Sequence, residues 1–320
     1  MMEKQQYPES WYPLCHSTDL QKGKTLVIKA FDGELLLYRG ESGEAGVVSR
    51  HCPHMGTDLK AGKVVGEVLQ CPFHHRTYGA DGQCLNIPGP SKKKGGASLK
   101  SYPLKECFGL LFIYFGKVPK FEFPTFSRVK KKAAFSKALK KELNTPYSSL
   151  LFNGFDTHHL TCIHNREIIA PPVLDSQSPF HFSADFSMKV LVERFYDVAV
   201  KILGIKVVDV HLDCWGGNFL IITNRKGFDH ILISSVPINA KKSKFFLTAV
   251  GEDSGKGFIA LFFQKMRLKI TSFLGMAFLR PDERIVENMR PEIRSLDPVV
   301  DSCVISFWNY WEALPKRKGF

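Results

Sequence analysis

Two short segments each set a cysteine close to a histidine: Cys52-Pro53-His54 and Cys71-Pro72-Phe73-His74, with sixteen residues between His54 and Cys71. Neither pair alone says much. Together they offer two thiolates to one iron and two imidazoles to another, an arrangement whose neutral histidines raise the reduction potential well above that of an all-thiolate cluster. The same four groups also satisfy tetrahedral zinc. A zinc finger, however, ordinarily joins a C-x₂₋₄-C pair to a later H-x₃₋₅-H pair. Here each segment mixes one cysteine with one histidine, which fits a two-iron cluster held from two sides, the ligand set of a Rieske centre.

A second group lies further on, in Asn153-Gly-Phe-Asp156-Thr-His158-His159-Leu-Thr-Cys-Ile-His164, where three imidazoles and one carboxylate fall within nine residues. On a helix Asp156 and His159, three apart, share a face, while His164 lies five beyond His159 and needs a helix end or a bend to converge with it. Two converging histidines and a distant carboxylate would make the facial triad of an oxygen-activating Fe(II) site. Read alone, the segment is equally a surface helix with a histidine cluster. A third ligand must come from later acidic residues, among them Asp282, Glu283, Glu287, Asp297 and Asp301, and spacing does not choose between them.

The elements that must position these groups change character along the chain. Residues 25–29, 34–39, 47–49, 64–70 and 110–115 are short β-rich runs separated by Gly-containing turns, which predicts a small all-β unit. A stretch of Pro, Phe and Lys without clean period follows, so the domain boundary is placed at residue 118, with 119–146 linker-like. Residues 147–164 show helix period and Pro146 suits a first turn. Strand-like runs at 188–195, 207–215, 219–223, 230–236 and 245–250 predict an antiparallel sheet. Helical period returns at 257–278, 282–289 and 299–314, and the whole reads as α+β.

With 320 residues the chain is long enough for two domains with separate cores. Eight cysteines in a chain whose polar residues 1–10 show neither a secretory nor a transit pattern read as thiols or metal ligands, and a cytoplasmic location is expected. The net charge of +13 gathers in runs at 92–94, 130–132, 140–141, 241–244 and 316–318, which attract acidic partners. Nucleic acid is excluded for want of a recognition motif. Lys265, Arg267 and Lys269 interrupt the apolar stretch 258–279, so it does not span a bilayer. A core-facing helix with a solvated basic face is expected there, in preference to a peripheral membrane contact.

In order along the chain, Cys52-Pro-His-Met-Gly-Thr-Asp-Leu59, Gly62-Lys-Val-Val-Gly66, Cys71-Pro-Phe-His74 and Asp81-Gly-Gln-Cys84 resemble the Rieske domain of the Rieske non-haem iron oxygenases. The branch with 3-ketosteroid 9α-hydroxylases, cholesterol 7-desaturases and saxitoxin-pathway enzymes is the most similar. The likeness covers about residues 7–118. It departs at His74-His75-Arg76, where the family has His-Gly-Trp or His-Asp-Trp, and His75 is taken as a rim residue.

The resemblance implies domains at 1–118 (Rieske) and 119–320 (catalytic, a helix-grip fold of START/Bet v 1 type with C-terminal helices). It implies a [2Fe–2S] cluster on Cys52, His54, Cys71 and His74, and mononuclear Fe(II) on His159 and His164. Because Asp282-Glu-Arg-Ile-Val-Glu-Asn288 is similar to the branch's third-ligand motif, Asp282 is preferred over Glu283 and Glu287. Asn153 and Asp156 fall on the family's catalytic segment, Asp156 as the bridge to a cluster histidine of a neighbouring subunit in a homotrimer. Electrons would come from NAD(P)H through a ferredoxin or reductase, since the chain has no Gly-rich dinucleotide motif of its own. Dioxygen would then serve to hydroxylate, desaturate or dealkylate a hydrophobic, sterol-like small molecule. A quaternary ammonium compound caged by Phe195, Trp215 and Phe219, or an aromatic methyl ether, is the alternative substrate. A purely electron-transferring Rieske protein is the alternative class, and the large second domain argues against it.

Overall fold

The computed structural model describes residues 5–89, 95–130, 132–191, 206–225, 227, 229–253, 255, 257–289 and 293–320. These divide into two compact units, Met1–Lys120 together with Arg317–Phe320, and Phe121–Lys316. The last four residues thus join the first unit, although the sequence reading put them in the second.

The first unit is all β. Its strands are β1 (Gln6–Pro8), β2 (Trp11–His16), β3 (Thr25–Ala30), β4 (Gly33–Arg39), β5 (Ala45–Ser49), β6 (Lys63–Val65), β7 (Val68–Gln70), β8 (Thr77–Tyr78), β9 (Cys84–Asn86), β10 (Leu104–Cys107) and β11 (Leu110–Tyr114). They form sheets β10-β11-β2, β3-β4-β5 and β6-β7-β8-β9. The expected single run 64–70 is a hairpin, because Gly66 turns with φ of 59° and folds β7 back on β6. Leu36, Tyr38, Val48, Leu59, Leu69 and Tyr78 build one buried core, and Cys52 and Cys71 are part of it.

The second unit is an antiparallel sheet with helices. Its strands are β12 (Ala133–Phe135), β13 (Leu139–Leu143), β14 (Arg166–Ile168), β15 (Val173–Asp175), β16 (His181–Val190), β17 (Val207–Trp215), β18 (Phe219–Asn224), β19 (His230–Asn239) and β20 (Lys242–Glu252). The order β12-β20-β19-β18-β17-β16-β14 is completed by β13 on β20 and β15 on β16. The last strand of the chain, β21 (Lys316–Lys318), belongs with the first unit, where it pairs with β1. The expected strand 188–195 begins earlier, at His181, and residues 192–195 lie outside the described residues.

The helices are α1 (Ser149–Phe155), α2 (Thr157–His164), α3 (Phe258–Val286) and α4 (Ser302–Ala313). Two differ from expectation. The helix expected over 147–164 is broken at Asp156, whose Oδ1 accepts the backbone N–H of His158 at 3.0 Å and of His159 at 3.1 Å and so caps α2. Asp156 therefore stands before the helix of His159, not on a shared helical face. The helices expected at 257–278 and 282–289 are one, and Asp282 lies near the C-terminal end of α3, not at a helix start. The fold contains no helix, among the described residues, long and apolar enough to cross a membrane.

Candidate metal centres

The first-unit loops are built alike. The segment after β5 is closed by the His51↔Asp58 bridge, and within it Gly56 N–H donates to Cys52 O at 2.9 Å. The segment joining β7 to β8 repeats this, with His75 N–H to Cys71 O at 3.1 Å and Cys71 N–H to Arg76 O at 2.8 Å. Gly56 and His75 both take left-handed backbone, φ 73° and 53°. Histidine tolerates that region better than most side chains, and the residue stays exposed on the rim.

This construction sorts the four predicted ligands by type. Cys52 and Cys71 are buried, 2% and 1% exposed. His54 and His74 lie outside with ring centroids 4.9 Å apart. Two thiols inside and two imidazoles at the surface fit a two-iron cluster with unlike ends, and leave its imidazole end accessible to an electron partner. The Cys52 thiol is raised by burial, but hydrogen bonds from Tyr78, the His54 backbone and Cys71, together with the Arg76 charge, bring it below its ordinary value. Tyr78 Oη lies 3.1 Å from Cys52 Sγ. Sequence reasoning missed this residue, which only the β7–β8 pairing carries to the thiol.

In the second unit, His159, His164 and Asp282 converge, with ligand atoms all within 4.8 Å of one another. Asp282 Oδ1 is 2.8 Å from His164 Nε2, and Oδ2 is 4.0 Å from His159 Nε2. The five-residue spacing works because His164 ends α2, where Asn165 turns left-handed (φ 52°). His159 donates from Nδ1 to the Asp156 carbonyl and meets Asn153 Nδ2 at 3.3 Å through Nε2. Burial holds its imidazole below the ordinary value against the opposing pull of Asp282, which keeps a nitrogen lone pair available. His164 Nδ1 is buried without a hydrogen-bond partner among the described residues. Two imidazoles and one carboxylate on a buried point are the donor chemistry of a facial triad.

The other candidates lie elsewhere. Glu283 pairs with Lys141, Glu287 accepts from Asn144 Nδ2 at 3.1 Å, and Asp297 binds the N–H groups of Val299 and Val300. Asp301 accepts from the Asp297 N–H at 2.8 Å. His158 is exposed beside Cys162.

A cavity of about 140 Å³ adjoins the triad. Alternate residues of the sheet line it, including Leu212, Leu220, Ile222, Ile233 and Leu247, because side chains two apart share a face. Phe278 closes it from α3 and stacks on His164 with ring centroids 3.9 Å apart, a contact no local pattern announces. Of the aromatic cage considered above, Phe195 lies outside the described residues. Trp215 and Phe219 pair at the β17–β18 turn and do not line this cavity.

Comparison with known proteins bears on both units. Residues 10–103 match the Rieske [2Fe-2S] domain family, so the first unit carries a Rieske domain, and with it the cluster. The chain is 32% identical over 176 residues to cholesterol 7-desaturase nvd 1 of Ciona intestinalis, covering 53% of this chain and 37% of that protein. It is 33% identical over 110 residues to the oxygenase component of a probable 3-ketosteroid-9-alpha-monooxygenase of Rhodococcus rhodochrous, covering 34% and 28%. Its matches thus span well under half the length of these relatives. NdmA of Pseudomonas putida CBB5, solved with caffeine, shares the fold with a TM-score of 0.70 at 17% identity, covering 98% of this chain and 96% of that one. An α+β chain with an all-β Rieske unit followed by an antiparallel sheet with helices is therefore the architecture, as the sequence reading expected.

The hydroxyl contact at Cys52 has a measurable consequence. A hydrogen bond donated to a ligand sulfur favours the more negative, reduced cluster. Tyr78→Phe is expected to lower the reduction potential by roughly 40 mV, the equivalent of about 1 kcal/mol for one electron. A dithionite titration followed by electron paramagnetic resonance reads it directly, and an unchanged potential would show that the hydroxyl does not reach the bound sulfur.

Proposed function

We propose that this chain is the oxygenase component of a multicomponent Rieske monooxygenase or dioxygenase acting on an uncharged, lipophilic small molecule. One observation carries the reading: a buried His/His/Asp triad opens onto an apolar cavity in a chain whose other unit is a Rieske domain. Cys52, His54, Cys71 and His74 hold the cluster, and His159, His164 and Asp282 hold a mononuclear Fe(II). When bound, the two groups supply electrons and the site of dioxygen activation.

The chain's own residues do the rest. The Asp156 carbonyl fixes the His159 tautomer by accepting from Nδ1, which leaves Nε2 for the metal, its contact with Asn153 Nδ2 being given up when the metal binds. The Asp156 carboxylate spends Oδ1 on the α2 cap. Its partly exposed side chain is where a cluster histidine of a neighbouring subunit docks in a homotrimer. The aliphatic cavity wall excludes water and places a C–H bond beside the triad. A ferredoxin or reductase, drawn by the basic surface, delivers NAD(P)H-derived electrons.

The relatives' names favour a sterol or steroid; the cavity volume admits a compact ring, so a sterol requires it to widen. The test is oxygen uptake and product analysis with a surrogate ferredoxin and reductase, over a panel of sterols, 3-ketosteroids, methoxylated aromatics and methylated amines. Substrate-dependent uptake with a stoichiometric oxidised product is expected for an uncharged lipophile. Uptake only with the methylated amines would overturn the substrate class, and reduction of the cluster without turnover of any compound would overturn the oxygenase reading.

A further inference from the structure

Helix α3 is buried on one face and carries an apolar stripe on the other. Its inner stripe, Gln264, Leu268 and Ser272, is buried at four-residue spacing. At about 100° per residue, Ile259, Phe262, Met266, Ile270 and Phe273 project on the opposite side. They are exposed by 72%, 56%, 43%, 50% and 61%. The basic residues are exposed as expected but do not form one continuous face: Lys265 and Lys269 flank the apolar stripe on one side and Arg267, paired with Asp229, on the other. From Gly257 to Pro281 the helix carries Lys265, Arg267, Lys269 and Arg280 and no acidic residue.

We propose that the outer face of α3 docks the protein on the surface of an anionic lipid bilayer, with the helix lying in the interface plane. An apolar stripe with aromatic side chains flanked by cations is what such a surface binds, the aromatic groups entering the acyl boundary and the amines reaching the headgroups. The charge complementarity selects this occupant over a second copy. Two such faces brought together would oppose Lys265 and Lys269, for which residues 257–281 supply no carboxylate. The cleft beside the helix is lined by Arg128, Arg225 and Arg267 with Glu252, and because Arg225 pairs with Asp185 and Arg267 with Asp229 it adds little net charge at the rim. The inner side of the same helix contributes Gly275, Phe278 and Leu279 to the cavity, so docking would set that cavity beside a lipid phase. Binding requires no turnover, and the inference stands apart from the iron reading.

The experiment is co-sedimentation of the cluster-loaded, full chain with vesicles of phosphatidylcholine containing about 30% phosphatidylserine, against phosphatidylcholine alone. Wild type is expected to pellet with the anionic vesicles and much less with the neutral ones. Phe262→Ser with Phe273→Ser, and separately Lys265→Glu with Lys269→Glu, are each expected to lower the partition coefficient at least about tenfold. Circular dichroism and the cluster absorption establish that the variants are folded. Failure of wild type to bind anionic vesicles, or unchanged binding by both folded variants, overturns the proposal. A changed oligomeric state of the Phe variant in sedimentation velocity without lipid also overturns it, by assigning the face to a second copy.

Discussion

His159→Ala is expected to abolish substrate-dependent oxygen uptake while leaving the iron–sulfur absorption intact. The three donors at this site stand within 4.8 Å of one another, and removing one leaves His164 and Asp282, already 2.8 Å apart, to hydrogen-bond each other. Iron content should fall from about three atoms per chain to about two, because only the mononuclear site is touched. The loss in turnover should exceed the roughly 10–100-fold that removal of an outer partner costs. Asn153→Ala, which deletes only an amide that Nε2 gives up on binding the metal, is the internal comparison and should cost less than that range. Iron analysis and oxygen-electrode rates on the two variants decide the matter. Full turnover of His159→Ala with an intact cluster would remove residues 153–164 from the chemistry.

Cys71→Ser should act on the other unit, producing a protein without the cluster's visible absorption and with about one iron per chain. Cys71 lies 1% exposed in the same core as Leu69 and Tyr78, so the ligand loop is anchored in the hydrophobic interior. Because metal binding energy is largely folding energy, losing the cluster should also cost the first unit on the order of 5 kcal/mol or more. Calorimetry should then show a lowered first transition, while the second unit, with its separate core around Leu143, Leu150, Phe245 and Val286, keeps its own. Retention of the chromophore in Cys71→Ser would refute the assignment of this thiol.

Ligand types and local spacing were legible because each pair of first-unit ligands, and both second-unit histidines, lie within one short loop or helix. A five-residue gap between His159 and His164 announces a helix end. The period-two runs likewise revealed most strands of both units, since one face of each is buried. The short strands β12 to β15 escaped notice because three to five residues leave too little alternation to read.

What the amino-acid sequence determined by itself was chemistry held in local order: two Cys/His loops, a histidine segment, and the class of domain that carries them. The third ligand was decided only by the tertiary structure, since Asp282 is 118 residues from His164 and reaches it because α3 crosses the sheet with its buried stripe inward. Its rivals Glu283 and Glu287 are as acidic and nearly as near in sequence; one helical step of about 100° turns Glu283 toward Lys141, and Glu287, just past the end of α3, accepts from Asn144. Tyr78 at Cys52 and Phe278 on His164 are of the same kind. So is the outer face of α3: its sequence shows apolar and basic residues mixed, and only packing reveals which of them the core leaves uncovered.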